Sequence, residues 1–153
     1  MSDKARGAIF NMLGDISGLA VLDAFAGSGA LSLEALSRGA SHATAVDVDK
    51  AAHRTIQENA QALGVQAKLK AIRANASGWS DNNPTMSFDI VLCDPPYDHL
   101  QLPLLQKLVR HLKPDGVLVL SWPGGQAPPD LLGVVAIAAK DYGDAQIMIF
   151  SRA

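Results

Sequence analysis

Asp94-Pro95-Pro96-Tyr97 places an acid, two prolines and a phenol in succession near the middle of the chain. Each proline fixes φ and removes an N–H donor, so the segment is stiff and its carbonyls stay free as acceptors. The exocyclic amine of a nucleobase carries two N–H donors. The Asp94 carboxylate and the Pro95 carbonyl are suited to accept one each, which draws electron density onto the nitrogen and orients its lone pair. Tyr97 offers a flat face for base stacking, and such contacts are worth about 1–3 kcal/mol. Pro96 belongs to the same substrate-facing turn. Asp94 is also suited to take up a proton after the amine has reacted.

A second group precedes it. Asp23 closes a short apolar run and is followed by Ala24-Phe25-Ala26-Gly27-Ser28-Gly29. Glycines here permit a tight turn and close approach of a ligand to the backbone. Asp47 ends the next apolar run, where a carboxylate can accept hydrogen bonds from both hydroxyls of a ribose. The pair reads as a nucleoside site. A dinucleotide fingerprint wants Gly or Ala three residues after Gly29, and Ser32 stands there. Asp23 would also repel a pyrophosphate, whereas it suits an ammonium. S-adenosylmethionine has a ribose, an ammonium and a sulfonium, and no phosphate. Joined to the planar-amine site, this predicts methyl transfer by proximity and alignment, without a metal or covalent intermediate.

The elements that must hold these residues alternate along the chain. Helices are expected at 3–13, 29–38, 50–63 and 102–112 from apolar spacing and flanking glycines. Strands are expected at 20–24, 43–47, 67–73, 88–93 and 117–121, with 132–139 and 145–151 pairing as a closing hairpin. Residues 80–87 and 122–129 read as loops. The expected fold is α/β: a doubly wound, seven-stranded, mostly parallel sheet with a C-terminal antiparallel strand, in one domain spanning 1–153.

Composition narrows the class. Of 153 residues, 48% are hydrophobic and 18% charged, which is globular and not disordered. The net charge of −2 argues against a broad basic footprint for nucleic acid while leaving room for a local patch. One cysteine, Cys93, excludes an intrachain disulfide. With neither a signal peptide nor an apolar run of membrane-spanning length, a cytoplasmic protein is expected. The four histidines are too scattered to suggest a metal site.

On these motifs the chain resembles the RsmD family, bacterial methyltransferases that modify a guanine amino group in small-subunit ribosomal RNA. Asp3 to Asn11 is similar to that family's first helix. Leu22 to Leu31 and Glu34 to Ala40 match its best-marked stretch, Asp94 to Tyr97 its catalytic motif, and Tyr142-Gly143-Asp144 its closing hairpin. The resemblance implies that Asp23, Phe25, Gly27 and Gly29 line the methionine end of S-adenosylmethionine. It implies that Asp47 holds the ribose, that Val48 packs on the adenine, and that Asn75, with Ala76 beside it, meets the adenine amino group. Asp94 and Pro95 would position the target amine. Family members usually carry a basic β-hairpin before the first helix, and this sequence begins at that helix. Lys4 and Arg6 are then the candidates for RNA phosphates, on ribosomal RNA or a ribosomal particle.

Other residues have simpler readings. Cys93 is expected to be a buried thiol, His99 a surface residue, and Trp79 a cap on the loop it precedes. Lys107, Arg110 and Lys113 are expected to compensate a helix dipole. Two alternatives stay open: an adenine amino methyltransferase acting on DNA or RNA, and a cofactor-binding subunit without activity of its own.

Overall fold

The computed structural model describes all 153 residues. Its strands are β1 (Ala20–Asp23), β2 (His42–Asp47), β3 (Leu69–Arg73), β4 (Phe88–Cys93), β5 (Leu112–Pro123), β6 (Val134–Asp141) and β7 (Ala145–Arg152). They form one sheet in the order β3-β2-β1-β4-β5-β7-β6. β1 to β5 run parallel, and β7 is inserted antiparallel between β5 and β6. The helices are α1 (Asp3–Leu13), α2 (Ala30–Ser37), α3 (Lys50–Ala62), α4 (Ala76–Asn82) and α5 (Leu102–Leu108). This is the doubly wound architecture the sequence predicts.

Period-two alternation splits each central strand between two cores. Leu22, Val91, Leu118, Leu120, Met148 and Phe150 pack with Trp79 of α4 and Leu104, Leu105 and Leu108 of α5. Val21, Ile90, Leu92, Val119, Ile147 and Ile149 pack on the other face, against Ile9 and Phe10 of α1 and Leu31, Ala35 and Leu36 of α2. Strands buried on both faces read as continuous apolar runs, which is why they were legible.

Several boundaries differ from the sequence pattern. Residues 76–82 form α4, although the loop reading began at Ser80. Its Ser, Gly, Asp and Asn residues are weak helix formers, so tertiary contacts decide. Asn75 caps it through hydrogen bonds from the Ser77 and Gly78 N–H groups at 2.9 and 3.3 Å. Trp79 does not cap a loop: it is 4% exposed, with its ring 4.9 Å from that of His111 and 6.2 Å from that of Phe88. The helix after residue 102 stops at Leu108 and passes through a tight turn at Val109–His111 into β5. Arg110 donates to Ser80 Oγ at 2.8 Å, while His111 joins Ser80 Oγ and the Met86 carbonyl, both at 2.7 Å. These bonds hold that turn against α4.

The three basic residues there also have bonded partners, with Lys107 in the last turn of α5 and Arg110 in the turn that follows. Lys107 and Arg110 meet Asp81 at 2.9 and 3.3 Å, and Lys113 meets Asp89 at 3.3 Å. β5 also continues through Trp122 and Pro123, read as loop, because β7 pairs with it to Pro123↔Ala145. At the sheet's far side, Gln66–Lys68 is a turn and β3 starts at Leu69, while β6 starts at Val134.

Just beyond that pairing, the Gly124 N–H donates to the Asp144 carbonyl at 2.8 Å. A Cβ on Gly124 would run into the backbone carbonyl of Gly143. Gly124→Ala should therefore destabilise the protein by at least ~1 kcal/mol, the lower end for overpacking. Gly7→Ala in α1, where a Cβ meets nothing within 4 Å, should stabilise it by about 1 kcal/mol. Urea unfolding of the two variants checks both signs.

Candidate active site

The parallel strands end on one edge of the sheet, and a cleft of about 1020 Å³ opens there. It is lined from the ends of β1 (Ala24, Phe25, Gly27), β2 (Val46, Asp47, Val48), β3 (Ala74, Asn75, Ala76), β4 (Asp94 to Tyr97) and β5 (Ser121). The turn from β6 to β7 closes it with Tyr142, Asp144 and Ala145, and α1 contributes Ser2 and Ala5. Of the residues singled out from sequence, Phe25, Gly27, Asp47, Val48, Asn75, Ala76, Asp94, Pro95, Pro96 and Tyr97 meet in this one space.

Two residues expected in the lining are not there. Asp23 is 1% exposed and lies beneath the cleft floor. Ser32 Oγ donates to its Oδ2 at 2.7 Å, and its Oδ1 has no partner. Ser32, the departure from the dinucleotide pattern, is thus the anchor of the buried acid. Burial raises the Asp23 pKa to about 6, against the hydrogen bond from Ser32, with Asp94 and Asp47 adding like charge. Gly29 is also buried. Its φ is 82°, and a Cβ would approach Ile56 Cγ1 to 2.9 Å, so this glycine serves the packing of α2 on α3.

Gly27 behaves differently. Its φ is 53° and a Cβ there would meet nothing within 4 Å, so the bare backbone borders open cleft. Its N–H donates to Asp47 Oδ2 at 2.9 Å, and the Asp49 N–H donates to Asp47 Oδ1 at 2.9 Å. The carboxylate is held in position by one bond to each oxygen and keeps lone pairs for further donors. Val48 is 64% exposed beside it, an apolar surface without a protein partner. Asn75 corrects an expectation. Its Oδ1 caps α4, so the group left over is its NH2, a donor suited to a ring nitrogen and not an acceptor for an amine.

At the other end, Pro95 is buried while Pro96 and Tyr97 are exposed. The Pro96 carbonyl accepts from the His99 N–H at 3.1 Å, whereas the Pro95 carbonyl takes part in no backbone hydrogen bond. Burial pushes the Asp94 pKa up, and the chain's N-terminal ammonium and then the Ser121 hydroxyl partly offset this. The Tyr97 and Ser121 hydroxyls are hydrogen-bonded at 2.5 Å, which pins the phenol at the cleft wall. Ser121 was missed from sequence. The available signal was a polar residue ending the apolar run Val117 to Leu120, at the same edge as Asp94. Cys93 is buried, with its thiol pKa pushed up by burial and by the charges of Asp23 and Asp94. His99 is exposed.

Lys4 and Arg6 do not line the cleft. Arg6 is paired with Asp3 at 3.0 Å, and the Lys4 ammonium sits 6.0 Å from the ring of Tyr142 on the rim. No Lys, Arg or His lines the cleft, while Asp47, Asp94 and Asp144 do. Such a lining disfavours a pyrophosphate and suits a ligand with cationic centres. With the orphaned Asp23 oxygen beneath and the bare Gly27 backbone beside it, the donor set fits S-adenosylmethionine.

The family model described as "Conserved hypothetical protein 95" matches residues 1–151. The chain belongs to this family. It is 32% identical to the Bacillus subtilis protein YlbH, whose name ascribes rRNA methylation to it, over 99% of this chain and 86% of that one. It is 35% identical to Escherichia coli ribosomal RNA small subunit methyltransferase D over 76% of this chain, and that match spans 57% of the relative's length. An Escherichia coli structure, yhhF, to which methyltransferase activity is ascribed, superimposes with a TM-score of 0.88 at 26% identity, covering 99% of this chain and 86% of the other. The family is the RsmD-like one that the motifs resemble, and its cofactor is S-adenosylmethionine.

Asp23 leads to a pH prediction. Its folded pKa is raised, so the folded state binds the proton more tightly than the unfolded chain does. The stabilisation this gives is complete at low pH and is lost as pH rises from about 4 through about 6. Asp23→Asn should therefore be more stable than the parent at pH 8, by ~3 kcal/mol, with the gap closing towards pH 4. Urea denaturation across that range measures it, and a constant gap would refute the assignment.

Proposed function

We propose that the protein methylates the exocyclic amino group of a guanine in ribosomal RNA. The observation that carries this reading is the Asp94–Pro95 pair of acceptors beside a pinned phenol, in a cleft that no Lys, Arg or His side chain lines. The names of the bacterial relatives supply the ribosomal substrate. A ribosomal target puts the reaction in the cytoplasm, and no helix here is long and apolar enough to cross a membrane.

In this reading Asp47 holds both ribose hydroxyls, Val48 packs on the adenine, and the Asn75 amide and Ala76 meet its edge. Gly27 leaves room for the cofactor's chain, and Asp23 balances its ammonium through the floor. When bound, S-adenosylmethionine supplies a methyl group on a sulfonium, which departs as a neutral thioether with the bonding pair. Asp94 and the Pro95 carbonyl each accept an N–H of the target amine, so its lone pair points along the axis of attack. Tyr97, fixed by Ser121, stacks on the base and sets its plane. As the nitrogen becomes cationic, Asp94 stabilises the developing charge and is placed to accept the proton released. Preorganised groups of this kind contribute on the order of 10²–10³ in rate each.

Asp94→Ala should lower kcat on the order of 100-fold or more while leaving the S-adenosylmethionine dissociation constant within about threefold of the parent. Asp47→Ala should instead weaken the cofactor on the order of tenfold or more, as loss of hydrogen bonds to a charged group does. Calorimetry with turnover assays separates the two, and equal loss of binding would contradict the division of roles. The acceptor is tested by incubating the protein and labelled S-adenosylmethionine with ribosomal RNA from cells lacking the gene. Label in N2-methylguanosine is expected. Label in adenosine would replace guanine, and cofactor binding without transfer to RNA or particles would favour a non-catalytic subunit.

A further inference from the structure

Asp144 lines the cleft from the β6–β7 turn, and neither the glycine loop nor the Asp-Pro-Pro-Tyr segment accounts for it. The turn is held from several directions. The Gly124 N–H donates to the Asp144 carbonyl at 2.8 Å, the Asp144 N–H to the Tyr142 carbonyl at 3.0 Å, and the Tyr142 N–H to the Ala145 carbonyl at 2.7 Å. Asp141 accepts from the Gly143 N–H at 2.9 Å and is thereby committed. The Asp144 carboxylate has no ion pair and no hydrogen bond. The nearby cations Lys4 and Lys140 lie instead over the Tyr142 ring, at 6.0 and 5.7 Å. Asp144 is exposed at the cleft, so its carboxylate is free to accept from a donor on a ligand.

The sheet order says which ligand. Asp94 follows β4, Ser121 ends on β5, and Asp144 precedes β7, which is next to β5. Two strand spacings, roughly 10 Å, separate the two acids' strands. That gap admits the edge of one base with a hydrogen bond of about 2.9 Å at each end. Asp144 stands on the acceptor side, away from Asp47 and Asn75 beyond β1. Among bases with an exocyclic amine, guanine alone has a ring N–H adjacent to it. Adenine and cytosine present a lone pair there, which a carboxylate repels.

We propose that Asp144 accepts the N1–H of the target guanine while Asp94 and Pro95 hold its amine, so that Asp144 is the residue that chooses guanine over adenine. This rests on the guanine amine reading above.

The test uses a short RNA around the mapped methylation site, made with either guanosine or 2-aminopurine riboside at the target. The analogue keeps the amine and replaces the N1–H by a lone pair. The parent protein should favour guanosine in kcat/KM by about 10–100-fold, as expected for loss of a hydrogen bond to a charged group. Asp144→Asn, whose amide can donate to the lone pair, should bring that ratio close to one. Calorimetry should show S-adenosylmethionine binding unchanged in the variant, which certifies its fold. A parent that methylates both RNAs equally, or a variant that keeps the parent's ratio, overturns the role of Asp144 and leaves the guanine reading intact. Methylation of adenosine by the parent overturns both.

Discussion

The site depends on a topological constraint: β1 lies between β2 and β4, so the chain leaves this edge of the sheet in two directions. Connections on either side of β1 cannot fill the space above its end, and a crevice follows. Asp23, Asp47, Asn75 and Asp94 all end or follow parallel strands, so their separation in sequence collapses to strand spacings at one edge. The inserted antiparallel β7 extends the same logic. Because it runs the other way, its beginning and not its end reaches the cleft, and Tyr142 and Asp144 arrive from a turn.

Electrostatics then fixes what the crevice can hold. Asp94 and Asp47 add like charge to the buried Asp23, no Lys, Arg or His side chain lines the cleft, and the chain's N-terminal ammonium favours an ionised Asp94. Backbone N–H groups satisfy Asp47, a serine satisfies half of Asp23, and Asp94 remains partly desolvated. In the proposed reading, further compensation comes with the ligands. A sulfonium and an ammonium supply it on one side, and an amine that becomes cationic supplies it on the other. In the proposed reading an overall charge of −2 is compatible with an RNA substrate, because the base enters an acidic pocket while Lys4 and Lys140 stand near Tyr142 at its rim.

The legibility of the sequence follows from how local each signal is. β1, β2 and β4 are buried on both faces, and their apolar runs ending in Asp23, Asp47 and Asp94 identified strand and site together. α4 was hidden because its helicity comes from Asn75, Trp79 and the Lys107–Asp81 and Arg110–Asp81 pairs, all but the first of them long-range. The same packing moved the end of α5 and gave the basic residues ion-pair partners that spacing alone does not reveal. Ser121 was missed because its importance lies in a hydrogen bond to Tyr97, 24 positions earlier. Lys4 and Arg6 were placed by family likeness, and here α1 directs one towards Tyr142 and the other towards its own Asp3.

The glycine loop shows why a motif is not a uniform object. Gly27 and Gly29 share the left-handed region of φ, yet a Cβ would enter open cleft at one and the side chain of Ile56 at the other. The first glycine concerns the ligand, and the second the packing of α2 on α3. Between strand and helix, Asp23 looks from sequence like a ligand-facing acid and is in fact under the floor, tied to Ser32. Its influence on the cleft is therefore a field and not a contact, set by burial in a region of low dielectric where an unshared charge is felt at distance. A carboxylate in that position favours a cation above it without offering a fixed hydrogen-bond geometry. The flexible methionine end of the cofactor needs charge balance there more than direction. In the proposed reading the rigid ribose is met instead by Asp47, whose two oxygens are each oriented by a backbone N–H.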